Sequence, residues 1–352
     1  MDALGHPAQA DDSDAGQDVI ITTRLLTALC CPLCRGALES LPEGYECRRC
    51  RRAYPVVFDI PDFRVSSPAH FDAAADLETA RLLVEEEHEL DFEGLLHLYY
   101  RLRPEPSQEL HQTHLAHLAG EADQAETALD LIEERRPFSP GDAVLEVGCG
   151  FGQYLDAAAK RVERVAGVDL CLPFLVLTRK RLSGRGLVVA ADAERLPFRD
   201  GAFAAVIAAD VVEHLAGQRQ SLEEMGRVLV PGGPLFLSTP NRYSLAPEPH
   251  VGLWGVGFLP RAWANRYVRR RRGVSYDDVR LLSSFALRRF LRRAFPGSAR
   301  LLLPGLSARQ LERFSPLKRR LARLYLALRR LPVLRAFFYW FGPFFHIVAV
   351  KR

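Results

Sequence analysis

Acidic residues are nearly absent from the last quarter of this 352-residue chain. Between Pro260 and Arg352 there are three Asp and Glu against 23 Lys and Arg, a net charge of +20, whereas the preceding residues carry a net charge of −16. This distribution excludes an evenly neutral surface. It predicts an acidic partner for the C-terminal part of the chain.

Long hydrophobic runs are also missing. The most apolar late stretch, residues 336–350, falls short of the roughly 20 residues that a spanning helix needs. Gly342, Pro343 and His346 interrupt it as well. Residues 1–17 lack the basic start and apolar core of a secretory signal, and they predict a disordered tail. We therefore expect a cytoplasmic protein without a transmembrane segment.

Cysteine is scarce outside one short segment. Five of the seven cysteines lie between Cys30 and Cys50, and without an export signal this clustering favours metal binding over disulfides. Two CxxC pairs can each aim two thiolates at one ion, which predicts a tetrahedral structural zinc site. Its ligands would be Cys31, Cys34, Cys47 and Cys50. A redox CxxC pair and a chance grouping of cysteines are the alternatives.

Shifts in composition and hydrophobic period divide the chain into four segments. We predict a disordered tail over residues 1–17, a zinc ribbon over 18–65, an acidic helical lid over 66–136, and an α/β domain over 137–352. A basic helical insertion is expected at about residues 305–340 of the last segment.

A glycine-rich turn follows the first predicted strand of the α/β domain. Gly148, Gly150 and Gly152 come directly after the apolar residues 143–147 and precede a predicted helix. Glycines at such a turn let the backbone approach a ligand closely. The GxGxG spacing is one residue shorter than the GxGxxG fingerprint of dinucleotide folds. An ordinary strand-to-helix turn is the alternative.

Acidic side chains stand at the ends of the next three predicted strands, at Asp169, Asp192 and Asp210. In open α/β sheets, ligands bind outside the carboxyl ends of the strands, so these residues predict one binding crevice. At Asp169 a carboxylate can accept hydrogen bonds from both hydroxyls of a ribose. A surface or capping role for Asp169 is the alternative.

In combination, these motifs resemble the class I S-adenosylmethionine-dependent methyltransferases, specifically the branch that methylates small molecules such as quinones. The resemblance runs from about Phe138 to Asn241. It implies a doubly wound, mostly parallel, seven-stranded sheet, with S-adenosylmethionine as the cofactor. It places the glycine turn at the methionine portion, Asp169 at the ribose, Asp192 at the adenine and Asp210 beside the sulfonium. The implied cofactor-binding residues are Glu146, Gly148, Gly150, Gly152, Asp169, Leu170, Asp192, Ala193 and Asp210.

The residues after the fourth strand bear on the methyl acceptor. They read Asp-Val-Val-Glu-His up to His214, unlike the Asn/Asp-Pro-Pro-aromatic run of enzymes that methylate exocyclic amines of bases. An oxygen or carbon acceptor needs alignment and a base for its proton. His214 is the candidate base, with Glu213, Tyr243 and His250 as substitutes. A packing role for His214 and a magnesium site at Glu213 and His214 are the alternatives.

Two further segments suggest partners. Residues 31–63 resemble the small zinc-ribbon activator protein of methyltransferases, here within the same chain, which implies docking or stabilisation rather than catalysis. Residues 317–335 place Leu317, Leu321, Leu324 and Leu328 on one stripe of a basic helix. Such a helix can lie on an anionic membrane surface, at the inner membrane face, contact RNA, or pack on its own domain.

Three functions are compatible with the sequence. The leading hypothesis is a methyltransferase acting on an oxygen or carbon of a small-molecule, lipid-linked or glycan-linked biosynthetic intermediate. The second is a ribosomal RNA base methyltransferase whose zinc ribbon recognises the substrate. The third is a zinc-ribbon binding module whose cofactor fold serves only as a scaffold.

Overall fold

The computed structural model describes residues 25–66, 71–103, 108–306 and 308–352. The side chains of residues 108–120, 308, 309 and 313 lie outside the described part, as does the segment 1–17 predicted to be a disordered tail.

The first described segment is a small antiparallel sheet whose strands pair in chain order. Its strands are β1 (Leu38–Leu41), β2 (Gly44–Cys47), β3 (Ala53–Val57) and β4 (Ile60–Pro61). Three helices follow. They are α1 (Ala73–Glu86), α2 (Phe92–Leu102) and α3 (Gln108–Glu133). Asp72 and Asp91 cap the first two of these helices, because their carboxylates accept hydrogen bonds from backbone N–H groups of the first turn.

A seven-stranded sheet forms the larger part of the fold. Its strands are β5 (Ala143–Val147), β6 (Arg164–Asp169), β7 (Leu187–Ala190), β8 (Ala205–Ala209), β9 (Pro234–Pro240), β10 (Arg300–Leu302) and β11 (Phe344–Val350). They lie in the order β10-β11-β9-β8-β5-β6-β7. The five from β5 to β9 run parallel, and β11 pairs antiparallel with β9 and β10. The predicted α/β class with a mostly parallel sheet is confirmed.

Helices cover both faces of this sheet. α4 (Gln153–Ala158) and α5 (Leu172–Leu182) pack on one face, and α6 (Gln218–Val228) and α8 (Ser284–Ala294) pack on the other. The remaining helices are α7 (Arg261–Arg272), α9 (Ala308–Arg313), α10 (Pro316–Leu328) and α11 (Pro332–Phe341). β5 and β9 are buried along their whole length, and their sequences are accordingly mostly apolar instead of alternating between apolar and polar residues. α9 to α11 lie between β10 and β11. None of the described helices combines the length and apolar character needed to cross a bilayer.

The small sheet packs against the edge of the large one at β7. Asp62 forms a parallel bridge with Ala190, and the N–H of Phe63 donates to the Ala190 carbonyl at 2.7 Å. Leu29, Tyr54 and Phe63 are buried in the same apolar cluster as residues of the large sheet. Complete burial of such a side chain contributes about 1.5–3 kcal/mol. The two sheets therefore share one core on this face.

Candidate functional site

The glycine turn after β5 has three left-handed residues. Gly148, Gly150 and Gly152 have φ of +70°, +49° and +74°. A Cβ on Gly148 would lie 2.2 Å from Cγ2 of Val211, and one on Gly152 would lie 2.7 Å from Cγ2 of Thr178. A Cβ on Gly150 would meet no atom within 4 Å. Two of the glycines are thus required by packing, while Gly150 faces open space.

Asp169 connects this turn to the next strand. Its carboxylate accepts hydrogen bonds from the N–H groups of Gly150 and Cys171, each at 3.0 Å. Burial raises the pKa of Asp169 despite these backbone donors. Leu170, the next residue, has its carbonyl bound at 2.9 Å by the guanidinium of Arg64. Asp169, the predicted ribose acceptor, therefore lies beside the glycine turn. Arg64, in the segment that follows the small sheet, holds the adjacent Leu170.

A cleft of about 270 Å³ opens above the turn. It is lined by Tyr100, Glu121, Glu146, Gly148, Cys149, Gly150, Phe151, Gln153, Tyr154, Ala209 and Asp210. Glu146 is buried and accepts a hydrogen bond from the N–H of Leu155 at 3.1 Å. Burial raises its pKa well above the usual value. Tyr100, Glu121 and Tyr154 are not among the residues predicted from the sequence. Tyr100 and Glu121 lie in the segment predicted to be a helical lid, and Tyr154 lies in the helix predicted after the glycine turn.

Asp192 lies outside the residues that line this cleft. Its carboxylate accepts hydrogen bonds from the N–H of Val65 at 2.8 Å and from the hydroxyl of Ser66 at 2.5 Å. Asp192 and Ala193 are both buried. An adenine amino group would have to share the Asp192 carboxylate with Ser66, and the adenine-binding role of Asp192 and Ala193 stays a prediction.

Asp210, at the end of β8, has a left-handed backbone with φ of +50°. Such a conformation costs a non-glycine residue about 1–3 kcal/mol and persists where surrounding contacts impose it. Here Ser238 supplies those contacts, because its hydroxyl donates to the Asp210 carboxylate at 2.8 Å and its carbonyl accepts the Asp210 N–H at 3.0 Å.

Beyond Asp210, a cluster of acidic and histidine side chains forms, which we call the Glu–His cluster: Glu213, His214, Glu248 and His250. The His214 and His250 rings meet edge to face at 4.9 Å. His250 Nδ1 hydrogen-bonds Glu248, and its Nε2 lies 3.8 Å from Glu213 Oε1. Thr239 donates to the other Glu213 oxygen at 2.9 Å. The structure thus brings together three of the four predicted catalytic candidates.

Protonation within the cluster follows from burial and neighbouring charge. Burial and the nearby Asp210 raise the pKa of Glu213 to about 8. For His250, burial opposes the charged ring, but the hydrogen bond and charge of Glu248 more than offset it and raise the pKa. His214 is exposed on one side, while partial burial and the charge on His250 lower its pKa. His214 is therefore a neutral, accessible imidazole at pH 7.

Tyr243, the fourth candidate, packs its ring against Phe258 at 5.5 Å. Its N–H donates to the side chain of Asn241 at 3.0 Å. Glu213, His214 and His250 each offer one donor atom, and these three atoms lie within 4.8 Å of one another. A divalent cation can also use a set of three such donors.

The four predicted zinc ligands lie together in the small sheet. Their sulfur atoms lie within 4.8 Å of one another, with Cys31–Cys50 at 3.6 Å and Cys34–Cys47 at 3.4 Å. A tetrahedral zinc with Zn–S bonds of 2.3 Å requires sulfur separations of about 3.8 Å. The sulfur positions fit a four-thiolate site.

Both CxxC pairs use the same turn. The residues that follow them, Arg35 and Arg51, have left-handed φ of +59° and +61°. Each donates its N–H, at 2.8 Å, to the carbonyl of the first cysteine of its pair. Although burial opposes it, N–H donors of Cys50 and Arg49 help to lower the pKa of Cys47 to about 6. A thiolate at Cys47 suits a metal ligand.

Residues 145–237 match a family model described as a methyltransferase domain. These residues include the glycine turn, Asp169 and the Asp210 end of β8. This segment is therefore similar to a methyltransferase domain.

Named relatives are similar to parts of this chain. The Bos taurus protein named "Probable tRNA methyltransferase 9B" is 36% identical over 101 residues, which are 28% of this chain and 21% of that protein. Demethylmenaquinone methyltransferase of Thermus thermophilus is 39% identical over 137 residues, 37% of this chain and 56% of that protein. The chain thus spans between about a fifth and about half of these relatives.

The chain also has structural neighbours. One is a chain from a complex that contains the Haloferax volcanii Trm112 methyltransferase activator. It matches with a TM-score of 0.43 at 19% identity and covers 67% of this chain and 94% of its own length.

Proposed function

We propose that this protein is an S-adenosylmethionine-dependent methyltransferase acting on an oxygen or carbon of a small-molecule, lipid-linked or glycan-linked acceptor. The observation that carries the proposal is the pair formed by Gly150 and Asp169. Inside a methyltransferase domain, a bare backbone position faces open space and donates its N–H to a carboxylate at the end of the neighbouring strand. This arrangement suits the adenosyl and methionine parts of the cofactor.

The residues of the cleft would contact different parts of the cofactor. Asp169 would accept hydrogen bonds from ribose hydroxyls, and Glu146 and Glu121 would offer acidic groups to the methionine amine. Gly150 would leave room for the ligand, and Asp210 would border the sulfonium. S-adenosylmethionine supplies a methyl group that its sulfonium already activates. The protein therefore has to align the acceptor and remove its proton.

His214 would accept that proton. Its ring is accessible, and its lowered pKa leaves it neutral at pH 7. Glu248 fixes the His250 ring through Nδ1, and His250 in turn contacts the His214 ring. We therefore assign His214 as the catalytic base and His250 and Glu248 as positioning residues. Relatives named as methyltransferases of ubiquinone and menaquinone biosynthesis support a small-molecule acceptor.

For the small sheet we propose a structural zinc held by Cys31, Cys34, Cys47 and Cys50. Four protein thiolates leave no open coordination position, so the ion would stabilise the fold and take no part in chemistry. The hydroxyl of Tyr54 lies 3.1 Å from the sulfur of Cys31 and would hydrogen-bond this ligand without itself binding the ion.

Calorimetric titration with S-adenosylmethionine, followed by a labelled-methyl screen, tests the function as a whole. Saturable cofactor binding and label transfer to one fraction of lipid, glycan or RNA extracts are expected. Transfer to a lipid or glycan supports the proposal. Transfer to RNA alone would show that the acceptor is RNA and not the proposed lipid-linked or glycan-linked compound. Absence of cofactor binding would refute the enzyme.

Gly150→Ala is expected to weaken S-adenosylmethionine binding at least about tenfold, which is about 1.4 kcal/mol. The new methyl group enters the open space that the ligand would fill. Gly184→Ala is the matched control, because Gly184 also has a positive φ, +80°, and also has no atom within 4 Å of its added Cβ. Both variants should lose about 1 kcal/mol of stability from the left-handed backbone. Equal affinities in calorimetry would show that the cofactor lies elsewhere.

Asp169→Ala should also lower cofactor affinity at least about tenfold, because a charge-assisted pair with ribose hydroxyls is lost. Asp130→Ala is a suitable comparison, since Asp130 is 66% exposed and its partner Arg161 retains Glu126 and Glu133. Unchanged binding of S-adenosylmethionine by the Asp169 variant would reject the ribose assignment.

A further inference from the structure

Two consecutive helices carry large apolar side chains into solvent. On α10, Leu317, Leu321 and Leu324 are 68%, 57% and 52% exposed, and on α11 Val333 and Trp340 are 81% and 53% exposed. The three residues of α10 are spaced i, i+4 and i+7, and the two residues of α11 are spaced i and i+7. That spacing places them on one face of their helix.

These helices bury little against the rest of the protein. The only buried residue of α10 is Ala322, and α11 has none. The rings of Tyr325 and Phe338 join the two helices at 5.0 Å, and the Tyr325 hydroxyl donates to the carbonyl of Pro304 at 3.1 Å. The apolar faces of α10 and α11, which we call the hairpin surface, are thus not covered by any part of the chain that the structure describes. Such a patch marks an interaction surface.

The charge beside the hairpin surface is of one sign. Residues 316–341 contain no Asp or Glu. Their cationic residues are Lys318, Arg319, Arg320, Arg323, Arg329, Arg330 and Arg335. A partner that fits must therefore offer anionic groups next to an apolar region.

We propose that the hairpin surface binds the surface of an anionic phospholipid bilayer. The leucine, valine and tryptophan side chains would enter the boundary between headgroups and acyl chains, while the arginines meet lipid phosphates. RNA would satisfy the arginines but would leave Leu317, Leu321 and Val333 in water. The aliphatic residues therefore favour lipid. This binding does not depend on the proposed methyl transfer.

The hairpin surface is connected to the loop that carries His250. The side-chain amide of Asn241 donates to the carbonyls of Trp340 and Gly342 at 2.8 and 2.9 Å, and the N–H of Leu245 donates to the carbonyl of Phe341 at 3.1 Å. A membrane on this surface would therefore adjoin the loop that completes the Glu–His cluster.

Vesicle sedimentation with the full-length protein tests the proposal. The protein should bind vesicles that contain phosphatidylglycerol and should bind phosphatidylcholine vesicles at least about tenfold more weakly. The double variant Leu321→Glu/Trp340→Glu should lose at least about tenfold in affinity for the anionic vesicles. Leu77→Glu on α1, where Leu77 is 45% exposed, should bind as the unaltered protein does.

Cofactor titration of the same variants separates this proposal from the enzymatic one. S-adenosylmethionine binding that persists in the double variant shows that the variant is folded. Anionic vesicle binding by a protein that fails to bind S-adenosylmethionine would support the membrane proposal and reject the enzyme. Equal binding of both vesicle types, or equal binding by the double variant and the unaltered protein, would overturn the membrane proposal.

Tryptophan fluorescence gives a second, direct measurement. The variant Trp254→Phe/Trp263→Phe keeps Trp340 as the only tryptophan of the three in the chain. On anionic vesicles its emission should shift to the blue and should be quenched by brominated lipid. Unshifted emission on those vesicles, or tight binding to RNA oligonucleotides with no binding to either vesicle, would contradict the proposal.

Discussion

Replacing His214 with asparagine is expected to lower kcat at least about a hundredfold, the usual contribution of a general base. Asparagine keeps a similar volume but accepts no proton at neutral pH. Affinity for S-adenosylmethionine should remain within about twofold, because His214 is not among the residues that line the cofactor cleft. His97→Asn, an exposed histidine on α2, is the control and should retain full activity.

The pH profile distinguishes a base from a residue that only packs. The pKa of His214 lies below its usual value of 6.5, so kcat/KM should be flat near pH 7 and fall at lower pH as the ring gains a proton. His250→Gln removes the neighbouring positive charge, which should raise the pKa of His214 and move the acid limb to higher pH. If the acid limb stayed at the same pH in the His214→Asn and His250→Gln variants, the assignment of His214 as the catalytic base would be rejected. Activity lost on chelation and restored by Mg²⁺ but not Zn²⁺ would assign the cluster to a metal ion.

Cys47→Ser is expected to destabilise the protein by about 3 kcal/mol or more, because a structural zinc contributes its binding free energy to folding. Cofactor affinity should also fall, because Phe63 to Ser66 would lose their fixed place against Ala190 and Asp192. Denaturant unfolding, calorimetry and a zinc assay of the purified protein measure these effects. One zinc per chain is expected.

Cys30→Ala supplies the matched control. Cys30 is buried beside Cys31 but is not one of the four convergent sulfurs, and burial raises the pKa of its thiol to about 11. Its replacement should cost stability through packing alone and leave the zinc content unchanged. Protein purified without zinc, or equal stability of the Cys47 and Cys30 variants, would show that the cysteines serve another purpose.

Most of the features that could be predicted from the sequence are local motifs. The glycine turn, Asp169 and the two CxxC pairs each depend on residues a few positions apart, where spacing alone fixes geometry. The mostly parallel α/β class followed from the alternation of apolar runs with helical stretches, whereas the seven strands were implied by the family resemblance. Here the structure agrees with the expectation of a mostly parallel α/β sheet.

Contacts between distant segments could not be predicted in this way. Ser66 meets Asp192 across 126 positions, and Arg64 meets Leu170 across 106 positions. These contacts depend on the path of the chain from the small sheet along β7. The exposure of Leu317 and Leu321 was likewise undetermined, because an amphipathic helix has the same pattern whether its apolar stripe is covered or free.

The shared core of the two sheets also limits how this chain could evolve. Leu29, Tyr54 and Phe63 cover apolar side chains of the large sheet. Deletion of the small sheet in one step would expose these side chains to water and promote aggregation. A descendant could lose the cysteines one at a time only after other substitutions had made the remaining contacts sufficient. The shared core therefore makes the small sheet difficult to lose, because the large sheet depends on its apolar side chains.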